Sequence, residues 1–379
     1  MLTFAIAIPN YNQSHFLPWA LESLRHQSVP FNVALMDGGS SDNFQSVAKA
    51  YSDVITHLES GPDGGQAAAI KKGKASVSGD IVSWLNADDY YFPGALDKVA
   101  AAFEAEPDVD VIFGNAVHVT AEGLFQSYFF PIQEFDARDL TRSCFICQPA
   151  CFVRREAYEK IGGLNPGLKY TMDWDLWHRL SVSGAKFKYI RELLAAVRYY
   201  DGTKTMSGDY ERYREIWRIE RKYGWRMVPV AWAGFYRHDL SLTQRKTFLE
   251  KFTLKLLDQL RHSKKKLFRS RGSKSEWNQT LYGFHRWEPL VERTCTIHLP
   301  WYGARQWQTL YLNVDPIDRS YMISVNDIPC HHGFSGPGRL RVECPPITAP
   351  YRKISVGNPE HARWRFLGFS ADLAGAPMA

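Results

Sequence analysis

The sequence predicts an α/β fold for its first part, with a mixed, mostly parallel sheet flanked by helices, followed by a helical linker and a β-sandwich. Apolar runs alternate with amphipathic stretches up to about residue 205, polar or glycine-rich segments follow these runs, and short alternating runs begin at about residue 276. The first two patterns are typical of strand–helix–strand units, and the third is typical of a sandwich. We therefore predict three regions, which are 1–205, 206–275 and 276–379.

The elements of the first region follow one another at the spacing expected of such a sheet. Apolar runs predict the strands and amphipathic stretches predict the helices. The predicted strands are 4–8, 32–36, 53–58, 80–85 and 109–114. The predicted helices are 16–26, 43–51, 66–75 and 93–104. Ligands of parallel sheets bind beyond the carboxyl ends of the strands, so the segments that follow the strands are candidates for a functional site.

The other two predicted regions have sequence patterns that differ from the first. Residues 210–223 and 240–260 predict helices that are rich in aromatic side chains, which would form either an interfacial surface or the packing between domains. The dense basic run 264–271 would either contact anionic lipid or form a solvated linker. Alternating runs at 295–299, 309–314 and 321–325 predict strands of the sandwich, whose tryptophans would either bind glycan or form its core.

Composition limits the class of protein. With 45% hydrophobic and 23% charged residues, the chain of 379 residues should form globular domains. No apolar run reaches the ~20 residues that span a bilayer, and the start of the chain lacks a basic leader, so we expect a cytoplasmic protein. The net charge of +6 comes without a known nucleic-acid-binding module, which argues against nucleic acid as a partner.

The six cysteines predict reduced, structural thiols. Cys144, Cys147 and Cys151 have a spacing that resembles metal ligands, but no second CxxC pair and no paired histidine cluster completes a tetrahedral site. Disulfides form in oxidising compartments, and nothing in the sequence indicates one. We therefore expect these thiols to pack in an apolar stretch.

Three polar loops follow the first three predicted strands. The segment 9–12 follows the first strand, and the segment 37–42 follows the second, where Asn10 and Asp37 offer hydrogen bonds suited to a nucleobase or ribose. The third loop, 61–66, leads into a helix whose N-terminus, with the nearby Lys71, favours a phosphate. It lacks the Walker and GxGxxG patterns, so a nucleotide is predicted that is bound in a different way.

A pair of carboxylates ends the fourth predicted strand. Asp88 and Asp89 follow an apolar run directly, and adjacent buried carboxylates are stable only beside a divalent cation or a basic side chain. Oxygen ligands of this kind suit magnesium or manganese. The alternative is a solvated acidic turn before Tyr90.

Together and in this order, the PNYN, DGGSSD, DGGQ and WLNADD segments resemble those of inverting nucleotide-sugar glycosyltransferases of family two, which have a GT-A fold. The resemblance covers residues 1–205 and implies a nucleotide-sugar donor, with a UDP-sugar as the first expectation. The implied donor-binding residues are Pro9, Asn10, Tyr11, Asn12, Asp37, Gly39, Asp63, Gly65, Gln66, Lys71, Asn86, Ala87 and Asp88. The segment 86–88 occupies the place of the family's DXD, which implies Asp88 as the direct metal ligand and Asp89 as its supporting neighbour.

The resemblance also implies a catalytic base at Asp173, at the start of a predicted helix. The implied acceptor-side residues are Gln148, Trp174 and Asp175. Two alternatives are open: Asp175 would cap the helix or bind a neighbouring cation, or both acids would only cap it. The chain departs from the family pattern at Met172, where the family has Glu, and at Tyr200, where many relatives have His.

These expectations describe a metal-dependent inverting glycosyltransferase. It would transfer a sugar to a hydroxyl of a glycan or lipid-linked acceptor in bacterial surface polysaccharide synthesis, in the cytoplasm and in peripheral contact with an anionic membrane at its inner face. The alternatives are a catalytically silent glycan-binding or assembly protein and a nucleotidyltransferase. The sugar, the base of the donor, the acceptor, the choice between Mg²⁺ and Mn²⁺ and the oligomeric state stay open.

Overall fold

A computed structural model describes the N-terminal part of the chain almost continuously and the C-terminal part as separate strands. The described N-terminal residues are 1–121, 123, 125–129, 132–200, 203, 210–224 and 232. The described C-terminal segments are 290–291, 294–300, 307–315, 321–325, 328–336, 339–343, 351–357 and 364–373. The predicted helix 240–260 and the basic run 264–271 therefore lie outside the described residues.

The N-terminal part alternates strands and helices, as the sequence pattern predicts. The strands are β1 (Phe4–Asn10), β2 (Phe31–Asp37), β3 (His57–Ser60), β4 (Ile81–Trp84), β5 (Tyr90–Tyr91), β6 (Val111–Val119), β7 (Phe125–Tyr128), β8 (Cys151–Arg154) and β9 (Phe187–Arg198). The helices are α1 (Leu17–Arg25), α2 (Phe44–Ala50), α3 (Gln66–Ser76), α4 (Ala95–Ala105), α5 (Ala137–Leu140), α6 (Arg155–Lys160), α7 (Met172–Val182) and α8 (Tyr210–Ile219). A π-helical segment, Glu220–Gly224, extends α8.

These strands form one mixed sheet in the order β3-β2-β1-β4-β8-β6-β9-β5, with β7 paired to β6. Pairing is parallel from β3 to β4 and between β6 and β9. The other four pairs of this sheet, β4–β8, β8–β6, β6–β7 and β9–β5, are antiparallel. The expectation of a mixed sheet with flanking helices is confirmed. The expectation of a mostly parallel sheet is wrong beyond β4, because β8 returns in the opposite direction beside it.

The first two polar loops lie together because they follow the ends of two parallel, neighbouring strands, β1 and β2. All seven residues of β1 are buried, as expected of a central strand covered on both faces. In the β1–β2 ladder Asn10 lies opposite Asp37, so the two predicted loops leave the sheet side by side. At the end of β4, Trp84 stacks on Trp177 of α7 with ring centroids 6.0 Å apart. This contact brings the start of α7 towards the same edge.

Element boundaries differ from prediction where turns intervene. The predicted strand at 53–58 begins only at His57, because residues 51–54 form turns closed by a hydrogen bond from the Val54 amide to the Tyr51 carbonyl. Helix α4 begins at Ala95 because Gly94 adopts a left-handed φ of 69°. Strand β6 continues past the predicted end at residue 114, since its second half pairs with β7 and β9.

The C-terminal segments form two antiparallel sheets. Their strands are β10 (Leu290–Val291), β11 (Thr294–Pro300), β12 (Trp307–Asp315), β13 (Met322–Val325), β14 (Ile328–Pro329), β15 (His332–Gly336), β16 (Arg339–Glu343), β17 (Tyr351–Gly357) and β18 (Trp364–Leu373). One sheet has the order β10-β18-β12-β16-β15, and the other has the order β11-β17-β13-β14. The three predicted runs lie in β11, β12 and β13. A face-to-face sandwich and the domain boundaries at 205 and 276 stay predictions.

Free thiols are found at Cys144, Cys147, Cys151 and Cys330. Cys147 and Cys151 are buried, and Cys151 begins β8. Burial raises the pKa of the Cys147 and Cys151 thiols well above their usual value. Over the ranges given above, no helix has the length and apolar character needed to cross a bilayer.

Candidate active site

The loops after β1 and β2 are tied to each other by hydrogen bonds. The Asn10 amide donates to Asp37 Oδ1 at 2.8 Å, and the backbone amide of Asn12 donates to Ser40 Oγ at 2.7 Å. The Ser41 amide donates to Asn12 Oδ1 at 2.9 Å. Asn12 has a φ of 52°, a left-handed conformation that Asn tolerates better than most residues. The two predicted loops therefore form one ordered surface.

Asp37 is the buried centre of this surface. Its two carboxylate oxygens accept five hydrogen bonds, from Asn10 Nδ2, the Gly39 and Ser40 amides, Ser40 Oγ and Ser60 Oγ. Burial alone would raise the pKa of Asp37, but the hydrogen bonds from Ser40, Ser60 and Asn10 outweigh it and lower the pKa. Gly39, whose backbone amide donates to Asp37, adopts a left-handed φ of 86°. The carboxylate thus organises the loop, and a ligand contact would have to share one of its oxygens.

An exposed aromatic ring borders this surface beside a second carboxylate. The side chain of Tyr11 is 63% exposed. A Cβ atom on Gly38 would lie 3.3 Å from Tyr11 Cδ2 and 3.2 Å from Asp63 Oδ2, so both side chains converge on the bare backbone of Gly38. Asp63 Oδ1 accepts a hydrogen bond from the Gly65 amide at 2.7 Å. Pro9, by contrast, is buried in the sheet at the end of β1.

Helix α3 begins beside the turn that follows β4. Its N-cap, Gly65, has a φ of 100° and provides no side-chain cap, and Gln66 Nε2 donates to Asn86 Oδ1 at 2.8 Å. Lys71 is exposed five residues further on, roughly 140° around the helix from Gln66. The prediction that Lys71 lines the donor side is therefore corrected, because the helix turns it away from the face that carries Gln66.

The turn 86–89 is held by a network of amide groups. Asn86 Nδ2 donates to Asp89 Oδ2 at 2.9 Å and to Gln148 Oε1 at 3.2 Å. Gln148 Nε2 donates in turn to the Trp84 carbonyl at 2.7 Å. Ala87 is fully buried within the turn. Asn86 and Gln148 thus fix the shape of this turn through contacts within the protein, and the acceptor-side role of Gln148 stays a prediction.

The two carboxylates of this turn have different surroundings. Asp89 is only 2% exposed, and its oxygens accept hydrogen bonds from Asn86 Nδ2 and from the Arg198 amide at 3.1 Å. Burial, reinforced by the negative charge of Asp88, raises the pKa of Asp89 well above its usual value. Asp88 is half-buried, and its Oδ2 accepts long hydrogen bonds from Tyr200 at 3.3 Å and Gln13 at 3.4 Å. Asp88 is therefore the carboxylate that a ligand can reach.

A buried arginine supplies the positive charge beside this pair. The Arg198 guanidinium donates to the Thr120 carbonyl at 3.2 Å and lies 4.6 Å from the centroid of the Trp19 ring. Burial lowers the pKa of Arg198, and the charges of Asp88 and Asp89 oppose that shift. The sequence predicted either a metal or a basic side chain beside the carboxylates. The structure provides the basic side chain, from the end of β9.

Asp173 lies in the first turn of α7, on the helix face that packs against the end of β4. Its Oδ1 accepts a hydrogen bond from the Trp174 amide at 2.7 Å. Trp177 is one turn further along the same helix face and stacks on Trp84, which precedes the turn 86–89. Burial raises the pKa of the Cys147 thiol, and the charges of Asp89 and Asp173 raise it further. Both carboxylates are therefore within electrostatic reach of one thiol, next to Gln148.

Two predicted acceptor-side residues are corrected. Trp174 is 2% exposed and its Nε1 donates to the Leu140 carbonyl at 2.8 Å, so it belongs to the core. Asp175 is buried and forms ion pairs with Arg179 at 2.7 Å and with Lys222 at 3.7 Å. The alternative interpretation, that Asp175 binds a neighbouring cation, is confirmed. The i, i+4 spacing to Arg179 was a sequence signal for this pair.

Known proteins that resemble this chain indicate its functional class. Residues 5–162 match the family described as Glycosyl transferase family 2. An uncharacterized glycosyltransferase of Rickettsia typhi is 28% identical over 224 residues, covering 56% of this chain and 70% of its own. A PGL/p-HBAD biosynthesis glycosyltransferase of Mycobacterium bovis is 27% identical over 238 residues, covering 60% of this chain and 88% of its own. The solved structure of S. aureus TarS 1-349 in complex with UDP-GlcNAc is similar at a TM-score of 0.48 and 17% identity, covering 74% of this chain and 79% of that chain.

The protein is a glycosyltransferase, and its match to family 2 covers residues 5–162, which is less than half of the chain. The mixed α/β sheet with flanking helices fits this class. Of the three functions that the sequence left open, an enzyme that transfers sugar is the one the relatives support. The silent binding protein and the nucleotidyltransferase are not supported.

Proposed function

We propose that the protein is a metal-dependent inverting glycosyltransferase that moves a sugar from a nucleotide-sugar onto a hydroxyl of a glycan or lipid-linked acceptor, in the synthesis of a surface polysaccharide or glycolipid. The observation that carries the proposal is that Asp89 of the turn 86–89 and Asp173 both act electrostatically on the Cys147 thiol, while Asn86 of the same turn donates to the neighbouring Gln148. A base close to a leaving-group site is the arrangement that a single displacement requires.

The donor would lie across the edge formed by the first two loops and the start of α3. The exposed ring of Tyr11 beside Asp63 suits stacking and hydrogen bonding to a nucleobase over the bare backbone of Gly38. The N-terminus of α3, where Gly65 provides no side-chain cap, suits the diphosphate. UDP-sugars, which the sequence resemblance implies, are the first donors to test.

The described residues fit a divalent metal that the donor helps to hold. Asp88 would bind it directly, because its Oδ2 accepts only long hydrogen bonds from Gln13 Nε2 and the Tyr200 hydroxyl, which a metal could replace. In the described part of the chain no group of three or more His, Cys, Asp or Glu side chains could hold a metal. Mg²⁺ and Mn²⁺ commonly use one or two carboxylates together with substrate phosphates, so this sparse set of ligands suits them. When bound, such an ion stabilises negative charge on a leaving diphosphate.

Asp173 would act as the general base. Its carboxylate would accept the proton of the acceptor hydroxyl while that oxygen attacks the anomeric carbon and the bond to the diphosphate breaks. One displacement inverts the anomeric configuration, and no second carboxylate is needed as a nucleophile. Asp89 would hold the turn in place through Asn86 and the Arg198 amide rather than bind the metal.

A lipid-linked acceptor would bring the protein to a membrane surface, and α8 offers a face for it. Arg214, Arg218, Arg221 and Lys222 are exposed on α8 and its extension. Trp217 is 41% exposed, with the Arg221 guanidinium 5.0 Å from its ring centroid. Exposed arginines around an aromatic ring suit the headgroup region of an anionic bilayer. This cationic face supports peripheral contact at the inner side of the cell membrane.

Thermal stabilisation by candidate donors tests the proposed function. Nucleoside diphosphates and nucleotide-sugars would be compared with and without Mn²⁺, because a ligand that binds only the folded state raises its stability by about 2.7 kcal/mol at one hundred times its Kd. We expect uridine nucleotides to stabilise the protein more with Mn²⁺ than without it. Incubation with the best donor and a glycan acceptor should then release a nucleoside diphosphate. Stabilisation that is independent of metal, or release of pyrophosphate, would contradict the proposal.

A further inference from the structure

The carboxylate of Glu215 on α8 binds the loop that leads into α7. It accepts hydrogen bonds from three successive backbone amides, those of Lys169 at 2.8 Å, Tyr170 at 2.8 Å and Thr171 at 2.9 Å. The Thr171 hydroxyl donates a fourth at 3.0 Å. Glu215 is only 3% exposed. One buried side chain thus fixes three consecutive residues that lie about 45 positions earlier in the chain.

The hydrogen bonds to Glu215 stabilise its buried charge and also hold the start of α7. A buried carboxylate is costly unless it is fully hydrogen-bonded, and charge-assisted bonds from backbone amides are among the stronger ones. Thr171 is the N-cap of α7, but its side chain does not cap the helix. Its hydroxyl donates to Glu215 instead. The entry into α7 is therefore set by α8 rather than by a local cap.

Asp173 follows this loop closely, in the first turn of α7. Thr171 is followed by Met172 and then Asp173, so a fixed Thr171 leaves one intervening residue before the carboxylate. Asp173 Oδ1 is bonded to the Trp174 amide of the same first turn, which makes its direction depend on the position of the helix start. We infer that Glu215 is a positioning residue for Asp173. This inference rests on the proposed function, in which Asp173 is the catalytic base.

The variant Glu215→Gln tests this inference. An amide has one acceptor oxygen where the carboxylate uses two, and its NH₂ group would face a backbone N–H, so at least one donor of the loop loses its partner. Misplacement of a reacting group by about 1 Å can cost about 100-fold in rate. We expect kcat to fall about 10- to 100-fold, while KM and Kd for the nucleotide-sugar stay within about twofold.

The matched control is Glu211→Gln, one turn earlier on α8. Glu211 forms an exposed ion pair with the side chain of Lys169 in the same loop, with a distance of 3.7 Å between the charged atoms. Its kcat should stay within about twofold of wild type, because exposed ion pairs contribute little. A kcat for Glu215→Gln as high as that of Glu211→Gln would overturn the inference.

A double variant separates positioning from a general structural role. If Glu215 acts through Asp173, adding Glu215→Gln to Asp173→Asn should lower the residual rate no further, because the two residues act as one unit. A further loss equal to that of the single Glu215→Gln variant would overturn the inference. If Asp173→Asn alone keeps turnover, the proposed base is wrong. If Asp173→Asn is inactive and Glu215→Gln is fully active, only the role of Glu215 fails.

A milder substitution covers the case in which Glu215→Gln does not fold. Thr171→Val removes only the hydroxyl donor and leaves the three amide bonds in place. We expect a loss of kcat of about threefold, with donor Kd unchanged. A wild-type kcat in Thr171→Val, measured on protein with the wild-type circular dichroism spectrum, would count against the inference in that case.

Discussion

Two neighbouring aspartates have different surroundings because the end of β9 lies against one of them. Asp89 accepts a hydrogen bond from the backbone amide of Arg198 and is buried, whereas Asp88 is half-buried and accepts hydrogen bonds from the side chains of Gln13 and Tyr200. The sequence predicted the pair and a nearby cation. It could not decide which carboxylate faces inwards, because β9 lies more than one hundred residues away along the chain.

Removing the Asp88 carboxylate should weaken metal binding in the presence of a nucleoside diphosphate. Asp88→Asn removes the carboxylate that would bind the ion directly and leaves the diphosphate in place, so we expect the Mn²⁺ affinity, followed by the electron paramagnetic resonance signal of free Mn²⁺, to fall at least about tenfold. Tyr200→Phe keeps the carboxylate and should have a smaller effect. Equal Mn²⁺ affinity in wild type and Asp88→Asn would show that Asp88 is not the ligand.

Among the helices, α7 combines a buried core face with the proposed base, Asp173, at its start. Trp177 packs on Trp84, and His178 stacks on Tyr223 of the π-helical segment with ring centroids 4.4 Å apart. The family resemblance implied a helix that begins near Asp173. It could not predict that Glu215 fixes its start, because nothing local links the loop 169–171 to α8. The rotation of Lys71 away from Gln66, by contrast, follows from helical periodicity and was predictable.

The buried His178 should make the stability of this packing depend on pH. Burial lowers the pKa of His178 to about 4, below the unfolded value of about 6.5. The unfolded chain therefore binds more protons between these values, so the contribution of His178 is complete above pH 6.5 and is lost as the pH falls towards 4. From pH 7.5 to pH 5 the free energy of unfolding should drop by about 2 kcal/mol from this group.

Urea denaturation of wild type and His178→Phe at both pH values measures this contribution. The phenylalanine keeps a ring against Tyr223 but cannot take up a proton. The loss of stability between pH 7.5 and pH 5 should be smaller in the variant by about 2 kcal/mol. The same pH dependence in both proteins would show that His178 does not titrate in this way.

At the scale of the whole molecule, α8 has two different faces. One is buried and contacts the loop that leads into α7, and the other is exposed and cationic. Glu215 and Glu220 are buried, while Arg214, Trp217 and Arg218 are exposed. The sequence placed the basic character of this region mainly at 264–271, which lies outside the described residues. Within residues 210–224, which the structure describes, α8 and its extension also carry exposed basic side chains. Three of the C-terminal strands were predicted from alternation, but the strand order of the two sheets was not, because partners such as β12 and β18 are distant in the chain.

The exposed face of α8 should support binding to anionic vesicles. Sedimentation with vesicles of phosphatidylglycerol and phosphatidylcholine should retain the wild type at low salt and release it at high salt, as charge screening increases. Each cation near such a surface contributes about 1 kcal/mol. Arg214→Glu with Arg218→Glu should therefore lower partitioning at least about tenfold.

A charge-matched control uses two exposed lysines elsewhere on the domain. Lys49→Glu with Lys160→Glu changes the net charge by the same amount on α2 and α6. We expect this control to bind the vesicles more strongly than the α8 double variant. An equal loss in both would mean that only the net charge matters, and retention of binding in the α8 variant would exclude α8 as the contact face.

The rate of sugar transfer by Asp173→Asn is the most direct test of the catalytic assignment. With the donor identified by thermal stabilisation, release of nucleoside diphosphate and the anomeric configuration of the product would be measured for wild type, Asp173→Asn and the exposed control Asp108→Asn. Loss of a general base should lower kcat by about 100- to 10,000-fold, with donor Kd nearly unchanged and the control active, and the wild-type product should be inverted. Turnover of Asp173→Asn within about tenfold of wild type, or a product with retained configuration, would contradict it.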